Sequence, residues 1–285
     1  MATQIYKLGS KGDAVSTIQL ALKLAGYKDV TMDGCYGPKT QAAVRAFQQS
    51  RGIGNDGMVG PVTWAKLQEV LAMGTKTTGT AAAKGGEQGA PQITNGYIWQ
   101  HVTRCQNRPL RYIAIHYTAG SRSVKGQAMQ ARNVFLQRKA SADFCVDDET
   151  IVQVNPDIRN YYCWAVGDAR NKWTGGGSLY GKAVNKNTVS IEICSTLRAG
   201  TSAVTPNHEG WSLSDKALGQ ARRLVRHLMA EYGIPKENVI RHYDASGKLC
   251  PGIIGWNDGP IFTTAGVQTK GMSDSRKWRE FLASI

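Results

Sequence analysis

The sequence predicts a small all-α domain of three helices followed by a larger layered α/β domain. Two observations predict this organisation. Residues 73–95 are rich in Gly, Thr and Ala and carry no apolar periodicity, which is typical of a flexible linker. Residues 1–72 show only helical apolar stripes, whereas residues 96–285 alternate short strands with helices. The chain therefore divides into a helical domain, a linker and an α/β domain.

An eight-residue pattern occurs twice in the first region, as DGCYGPKT at 33–40 and DGMVGPVT at 56–63. In each copy Asp-Gly predicts a turn, and the following Pro suits the first turn of a helix, where an N–H is dispensable. Each copy should therefore start a helix. A further helix precedes them, with an apolar stripe that includes Val15, Ile18 and Leu22. No catalytic group is evident in this module, so a binding role is favoured.

Two short strands in the second region present polar side chains. The apolar run at 112–116 ends in His116, as a buried strand does where it emerges at the edge of a sheet. The run at 188–194 alternates strictly, which puts its Val and Ile residues on one face and Glu192 on the other. A carboxylate is therefore expected to point away from the apolar layer.

The other elements of the second region follow from periodicity and end signals. They are a helix near 127–138, a strand near 143–146, a Gly-rich loop at 167–186, a helix capped by Ser214 and ended by Gly233, and a short helix at 275–283. After the long helix, a second apolar pair ends in His242, and Cys250 follows a turn eight positions later. Strands that alternate with helices predict a layered α/β domain.

His116, His242 and Cys250 together would suffice to bind Zn²⁺ while leaving the fourth tetrahedral position to water. By spacing alone this pattern is weak, and two ordinary half-buried histidines are the favoured interpretation of it. The six cysteines, in a chain of this length without a secretory signal, are expected to be mostly reduced.

The first region resembles the peptidoglycan-binding module found at the ends of many wall hydrolases. The similarity covers residues 6–71, including LGSKGDAVSTIQLAL and both DGxxGPxT copies. It implies that this module holds wall polymer. The alternative is that the two Asp-Gly turns only punctuate helices.

The second region resembles the zinc-dependent type 2 N-acetylmuramoyl-L-alanine amidases. The motifs are IHYT at 115–118, NTVSIEIC at 187–194, RHYD at 241–244 and KLCPG at 248–252. The similarity, over residues 105–255, implies a mixed central sheet flanked by helices. It also implies a hydrolase that cuts the amide between N-acetylmuramic acid and L-Ala of peptidoglycan.

The same resemblance implies the site residues. His116, His242 and Cys250 would be the zinc ligands, with Glu192 and Lys248 as the catalytic residues beside them. Zinc lowers the pKa of its bound water to about 7 and polarises the carbonyl. Glu192 would then move a proton from water to the leaving nitrogen, and Lys248 would stabilise the oxyanion.

This chain departs from the pattern of its relatives at two places. Ala142 stands where some relatives carry a catalytic Tyr, and Asp143 stands where many carry a His. Tyr-assisted catalysis is therefore not expected, and Glu192 is expected to carry more of the catalysis. Asp143 either orients a zinc-bound His or is a carboxylate at a strand edge. Ala165 replaces a His of the Trp-His-Ala-Gly stretch that often lines the cleft.

Two aromatic residues in the Gly-rich loop, Trp173 and Tyr180, are candidate substrate platforms. This loop either contacts substrate or is a disordered flap, since the Gly175–Gly177 run suits both.

The net charge of +14 indicates a polyanionic partner, namely nucleic acid, an anionic membrane face or a bacterial wall. No basic helix with base-reading spacing is present, and no apolar run suggests membrane insertion. The start of the chain lacks the pattern of a secretory signal. We therefore expect a phage endolysin made in the host cytoplasm that acts on the wall after release. The alternative source is a bacterial autolysin with unconventional export. A non-catalytic peptidoglycan-recognition protein is the alternative, and Cys250, which such proteins commonly lack, argues against it.

Overall fold

Each of the two predicted regions forms a structural unit with its own apolar core. The computed structural model describes residues 5–74, 90–119, 126–167, 169–171, 174–201, 205–263, 266–272 and 274–285. The chain divides into the units Met1–Ala82 and Ala83–Ile285. Residues 75–89 lie outside the described residues. The predicted linker bounds of 73 and 95 are wrong at both ends, because residues 73–74 belong to the third helix and residues 93–95 form a strand of the sheet.

The first unit is built from the three expected helices, α1 (Asp13–Leu24), α2 (Pro38–Ser50) and α3 (Pro61–Gly74). The Pro of each repeat copy is the first residue of α2 or α3. Apolar side chains from all three helices, among them Ile18, Phe47 and Leu67, are fully buried in one cluster. The apolar stripes read from the sequence therefore meet in a single core.

Both repeat copies are fastened by a buried glutamine from the preceding helix. The Gln19 side-chain amide donates to the Asp33 carboxylate (2.8 Å) and the Thr40 hydroxyl (3.1 Å), and its oxygen accepts from the Gly34 N–H (2.9 Å). Gln48 makes the equivalent bonds to the second copy, at 2.8, 3.0 and 2.8 Å. The Asp and Thr of the repeat therefore serve the fold of this unit, by closing each turn onto the helix before it.

The second unit is organised around a mixed sheet of six strands, in the spatial order β1-β5-β4-β7-β3-β10. Only the β4–β5 pair is antiparallel. These strands are β1 (Ile93–Asn95), β3 (Tyr112–Tyr117), β4 (Phe144–Val146), β5 (Ile151–Gln153), β7 (Thr188–Ile193) and β10 (Val239–Arg241). The mixed central sheet that the resemblance implied is confirmed.

Shorter strands pair outside this sheet. They are β2 (Val102–Arg104) with β6 (Tyr161–Cys163), β8 (Thr196–Leu197) with β9 (Trp211–Ser212), and β11 (Pro260–Thr263) with β12 (Gly266–Met272). The helices of this unit are α4 (Gln127–Val134), α5 (Asp215–Tyr232), α6 (His242–Ser246) and α7 (Arg276–Ala283). Helix α4 is thus shorter than the predicted 127–138.

The sheet has a separate apolar layer on each face. Alternate residues of β7, including Ile191 and Ile193, pack with α5 and α7. Cys194 belongs to the opposite layer, with Ala128 and Ala131 of α4. The strict alternation at 188–194 therefore sorts the side chains to two faces as predicted, and Glu192 lies on the face away from α5.

Helix α5 begins and ends at the predicted residues. The Ser214 hydroxyl accepts from the Ala217 N–H (3.1 Å), and Gly233 ends the helix in the left-handed conformation (φ 66°). Both termini are thus satisfied by the residue types that favour them.

Helix α7 covers the end of the sheet beside β10. Trp278 and Phe281 are buried against Trp256, with ring centroids 5.3–5.7 Å apart. The Arg241 guanidinium donates to the hydroxyl of Ser275, the residue before α7, at 2.7 Å. Helix α7 thus contributes to the core of the second unit, although the sequence indicated no role for the segment 262–285 that contains it.

Two further properties bear on the environment of the protein. All six cysteines are free thiols. Within the described residues, no helix has the length and apolar content needed to cross a lipid bilayer.

Candidate metal centre

Three neighbouring parallel strands, β7, β3 and β10, bring the predicted site residues to one edge of the sheet. In the register of β3 and β7, His116 is paired with Glu192. Arg241, the last residue of β10, is paired with Ile115, so His242 follows at the level of His116. Because the carboxyl ends of parallel strands meet at one edge, side chains far apart in sequence converge there.

His116, His242 and Cys250 form a buried cluster. One ligand atom from each lies within 4.8 Å of the other two. The two imidazole centroids are 4.6 Å apart, and His116 Nδ1 lies 3.7 Å from Cys250 Sγ. All three side chains are at most 4% exposed. The convergence of the three predicted ligands is therefore observed.

The orientation of His242 is fixed by a backbone carbonyl. Its Nε2 donates to the Val166 oxygen at 2.6 Å, which leaves Nδ1 with a lone pair and, among the described residues, no hydrogen-bond partner. Val166 is itself held in place, since the Asn185 side-chain oxygen accepts from the N–H groups of Ala165 (3.0 Å) and Val166 (2.8 Å). Such outer contacts are how proteins aim a ligating imidazole.

Burial determines the protonation of the cluster. It lowers the pKa of His116 well below the usual range and that of His242 to about 4, with the Lys248 ammonium adding to both shifts. Both imidazoles are therefore neutral at pH 7. Burial and then Glu192 raise the pKa of the Cys250 thiol to about 12. A nearby divalent cation reverses that shift, because a coordinating thiol is deprotonated outright.

The donor set fits a divalent zinc ion. Ligand atoms at ordinary Zn–N and Zn–S bond lengths in a tetrahedron lie roughly 3.3–3.8 Å apart. The 3.7 Å between His116 Nδ1 and Cys250 Sγ falls in that range. His242 Nδ1 is buried with no partner among the described residues, an expensive arrangement unless an ion uses its lone pair. Two neutral imidazoles and one thiol leave a fourth position free.

Glu192 and Lys248 lie beside the cluster. Glu192 is half-buried, and burial raises its pKa to about 8, with Lys248 opposing the shift. Its Oε2 is buried without a hydrogen-bond partner in the part of the chain that the structure describes. Lys248 is exposed. The structure thus places both residues next to the candidate ligands, while their catalytic roles stay a prediction.

A cleft of about 690 Å³ gives access to this cluster. Its walls include His116, Glu192, Lys248 and Cys250, together with Ala165. Ala165 therefore lies on the cleft wall, as its position in the motif indicated, and offers a methyl group where many relatives have an imidazole. The volume is ample for a small peptide or one sugar ring.

The described part of the Gly-rich loop is docked on the turn that carries His242. Gly177 N–H donates to the Tyr243 carbonyl (2.8 Å), and the Tyr243 hydroxyl donates to the Thr174 carbonyl (2.6 Å). The interpretation as a disordered flap is therefore wrong for residues 174–186. Trp173 lies outside the described residues. Tyr180 is exposed and is not among the described residues that line the cleft, so its contact with substrate stays a prediction.

Asp143 has neither of the roles expected for it. Its side chain is fully buried in an ion pair with Arg108 (2.8 Å), and it also accepts from Asn155 (2.6 Å) and from the Ser190 N–H (2.8 Å). Both expectations, a carboxylate that orients a ligating His and one at a strand edge, are therefore wrong. The physical reason is that the Asp143 carboxylate is paired with the buried Arg108 guanidinium inside the domain, so it contacts neither a ligating His nor solvent.

Sequence reasoning missed the residues that hold the ligands in place. No residue pattern indicates Val166, because its acceptor is a backbone carbonyl available from any residue type. Asn185 carried a weak signal, since an Asn in a loop often closes a turn through its side chain. Arg108 carried none, because an isolated Arg in a loop is usually solvated.

Two sequence models match the chain. The one described as N-acetylmuramoyl-L-alanine amidase matches residues 106–253, and one described as a peptidoglycan binding domain matches residues 11–67. Both resemblances seen in the sequence are thus confirmed.

Individual relatives match parts of the chain. The N-acetylmuramoyl-L-alanine amidase CwlA of Bacillus subtilis is 42% identical over 150 residues, which are 52% of this chain and 46% of that protein. The zinc D-Ala-D-Ala carboxypeptidase of Streptomyces albus G is 41% identical over 66 residues, 22% of this chain and 25% of that protein. The chain spans less than half of the length of either. A solved structure of a mutant endolysin from Bacillus subtilis aligns with a TM-score of 0.44 and 25% identity, covering 68% of this chain and 99% of that one.

The amidase match extends over just over half of the chain and contains all five residues of the cluster and its neighbours, namely His116, Glu192, His242, Lys248 and Cys250. The chain therefore belongs to the N-acetylmuramoyl-L-alanine amidase family and carries a peptidoglycan binding domain ahead of its amidase domain.

Proposed function

We propose that the protein is a zinc-dependent hydrolase that cuts the amide bond between N-acetylmuramic acid and L-Ala in peptidoglycan. The observation that carries this proposal is the convergence of two neutral imidazoles and one thiol, within 4.8 Å of one another, at a cleft. Three protein ligands with a free fourth position are typical of catalytic zinc sites, whereas structural sites are closed by four.

His116, His242 and Cys250 would hold the ion. A zinc ion bound by them supplies Lewis acidity, which polarises the substrate carbonyl and makes water a stronger acid. The Tyr117 N–H donates to Cys250 Sγ, which favours the thiolate that a metal needs. Together with the Val166 contact to His242, this bond orients the ligands before substrate arrives.

The proton transfers are assigned to Glu192. As the water oxygen bonds to the carbonyl carbon, Glu192 takes the proton that water loses, and it returns that proton to the L-Ala nitrogen as the C–N bond breaks. A divalent ion held by the cluster would favour the ionised carboxylate, against the burial that raises the pKa of Glu192 to about 8 without the ion. The unpartnered Oε2 supports the role of base, because an oxygen already engaged in hydrogen bonds is a poorer acceptor. Lys248 lines the same cleft, where its ammonium would stabilise the negative charge that builds on the carbonyl oxygen.

The N-terminal unit is proposed to hold the wall while the amidase domain cuts. Its match to a peptidoglycan binding domain supports this division of labour. The net charge of +14 adds attraction to the carboxylates and phosphates of bacterial walls. We propose the wall as the place of action, reached after release from the host cytoplasm.

The decisive experiment measures which bonds are cut in purified wall, with and without a chelator. We expect new L-Ala amino termini that disappear on chelation and return with added zinc. New reducing ends would indicate a glycosidase instead. Wall binding with neither product, in protein supplied with zinc, would identify a recognition protein without catalytic activity.

A matched pair of cysteine variants ties the result to this site. Cys250→Ser should release L-Ala amino termini at less than a hundredth of the wild-type rate, because the zinc ligand is lost. Cys35→Ser, which changes an exposed thiol of the first unit, should match wild type. Full activity of the Cys250 variant would contradict the proposed metal site.

A further inference from the structure

A second cavity lies next to the metal cleft. It has a volume of about 430 Å³ and is lined in part by Lys139, Trp164 and Lys186. Two short segments run from one cavity to the other. Lys139 lines the second cavity, whereas the next two residues, Ala140 and Ser141, line the cleft. Trp164 lines both cavities. The two cavities therefore adjoin at Trp164 and along residues 139–141.

Trp164 forms the shared wall and is held rigidly although 40% of its surface is exposed. Its indole N–H donates to the Thr103 hydroxyl (2.8 Å), and its backbone N–H donates to the Ser141 hydroxyl (2.9 Å). The ring packs against His101, at a centroid distance of 5.5 Å. Because its backbone and its indole N–H are both held by hydrogen bonds, the partly exposed Trp164 ring can offer an apolar face to a ligand at little cost in side-chain entropy.

The base of the cavity is positioned by the buried ion pair of Arg108 and Asp143. The Arg108 guanidinium donates to the backbone carbonyls of Lys186 (3.1 Å) and Asn185 (3.0 Å). The backbone of Lys186 is thus anchored to the core while its side chain stays exposed. A fully buried charge pair is costly unless further hydrogen bonds satisfy its polar atoms, and these two carbonyls supply part of them.

The charge of the cavity is positive. Its described lining residues include two ammonium groups and no carboxylate. Within the described part of the chain, neither Lys139 nor Lys186 forms an ion pair. Two ammonium groups without acidic partners in one concave site favour binding of an oxyanion, such as a carboxylate or a phosphate.

We propose that this cavity is a subsite for a carboxylate of the stem peptide, at a residue beyond the L-Ala whose amide is cut. The proposal rests on the proposed function, since it takes the scissile amide to lie in the metal cleft. A peptide carboxylate is favoured over a phosphate of a separate wall polymer because the second cavity adjoins the cleft that would hold the scissile amide. Residues that follow L-Ala in the same peptide are thus within reach of the second cavity.

The test uses two soluble muropeptides that differ only in charge. One carries free carboxylates on the residues after L-Ala, and the other carries the same residues as amides. Wild-type kcat/KM should be higher for the free carboxylates. Lys139→Gln together with Lys186→Gln should reduce kcat/KM for that substrate roughly tenfold, mainly through KM, and leave the amidated substrate unchanged.

Lys182→Gln is the matched control, because Lys182 is exposed on the same loop but is not among the described residues lining either cavity. It should retain the wild-type preference. Equal loss on both substrates in the double variant would indicate a structural role for the lysines and overturn the proposal. Unchanged kinetics on both substrates would overturn it as well.

A binding measurement separates this proposal from the proposed function. Calorimetric affinities of the two muropeptides for the Glu192→Gln variant report the subsite without turnover. Tighter binding of the free carboxylates that depends on both lysines would support the subsite even if the wild type hydrolysed neither substrate. Equal affinities for the two substrates would reject the subsite, whatever the outcome for hydrolysis.

Discussion

Glu192 is the side chain whose chemistry most depends on its surroundings. It shares the cleft with the three candidate ligands and has an oxygen without a hydrogen-bond partner among the described residues. Glu192→Gln keeps the shape and removes the base. We expect kcat to fall roughly 10²- to 10⁴-fold with zinc content unchanged, because proton transfer is lost while the ligands remain.

Zinc stoichiometry and muropeptide turnover, measured on the same preparation, check this prediction. Glu209→Gln is the control, since it removes a carboxylate that pairs on the surface with Arg198. Turnover of the Glu192 variant within threefold of wild type would remove Glu192 from the mechanism. Loss of zinc from that variant would assign it a structural part in the metal centre instead.

The raised pKa of Glu192 gives a second expectation for the same variant. Burial raises this pKa to about 8, whereas an unperturbed glutamate titrates near 4.3. The folded state therefore binds this proton more tightly than the unfolded state does. The resulting contribution to the free energy of unfolding is fully present below about pH 4 and is lost as pH rises towards 8. After chelation, Glu192→Gln should exceed wild type in stability at about pH 9, and the gap should close towards pH 5. Thermal unfolding across this range measures the gap, and a gap independent of pH would contradict the assignment.

Individual residues differed in how far the sequence could predict them. His116, His242 and Cys250 were identified because metal ligands require particular residue types in recognisable motifs. Asp143 was misread because its partner Arg108 is 35 positions away and nothing local links the two. Residues whose function depends on a distant partner are not visible in a local pattern.

At the scale of elements, the Gly-rich loop packs closely against the turn that carries His242. A Cβ built on Gly176 would lie 2.7 Å from the Tyr243 carbonyl oxygen and 2.8 Å from the Gly247 Cα. Both are backbone atoms of the helix α6 turn and cannot move without displacing it. Gly176→Ala should therefore destabilise the second unit by about 1–3 kcal/mol and weaken zinc binding.

Chemical denaturation and zinc titration of the Gly176 variant measure these effects. Gly219→Ala is the control, because a Cβ there meets nothing within 4 Å and the residue lies inside helix α5. That change should leave zinc affinity unaltered and raise stability by up to about 1 kcal/mol. Wild-type zinc affinity in the Gly176 variant would show that the loop does not position His242.

Elements with strong local signals were predicted closely. Helix α5 has a capping Ser, an apolar stripe and a terminal Gly, and strand β7 alternates without a break, so both appeared where expected. The docking of loop 174–186 onto α6 was not predictable, because it depends on backbone hydrogen bonds and on glycines that permit close approach. The packing of α7 against Trp256 is likewise a contact between distant segments.

At the scale of the whole molecule, the two units have separate cores. The apolar cluster of the first unit draws on residues 6–71, and those of the second draw on residues 93–285. Each unit thus has the apolar interior that an independently folding domain needs. Tethering would then act through effective concentration, because a unit bound to the wall keeps its partner near bonds to be cut.

Removing the first unit tests this division. A protein of residues 83–285 should cleave a soluble muropeptide with kcat/KM within about twofold of the full chain, because the metal centre and cleft belong to the second unit. On insoluble wall its rate at low concentration should fall roughly 10²-fold, because the tether is lost. A specific protease site within residues 75–89 provides the control. Cleavage there leaves both units present but unlinked, and the rate on wall should fall as far as in the truncated protein. A cleaved sample as active on wall as the intact chain would show that the first unit does not act by tethering, and loss of soluble activity in the truncated protein would show that the second unit depends on the first.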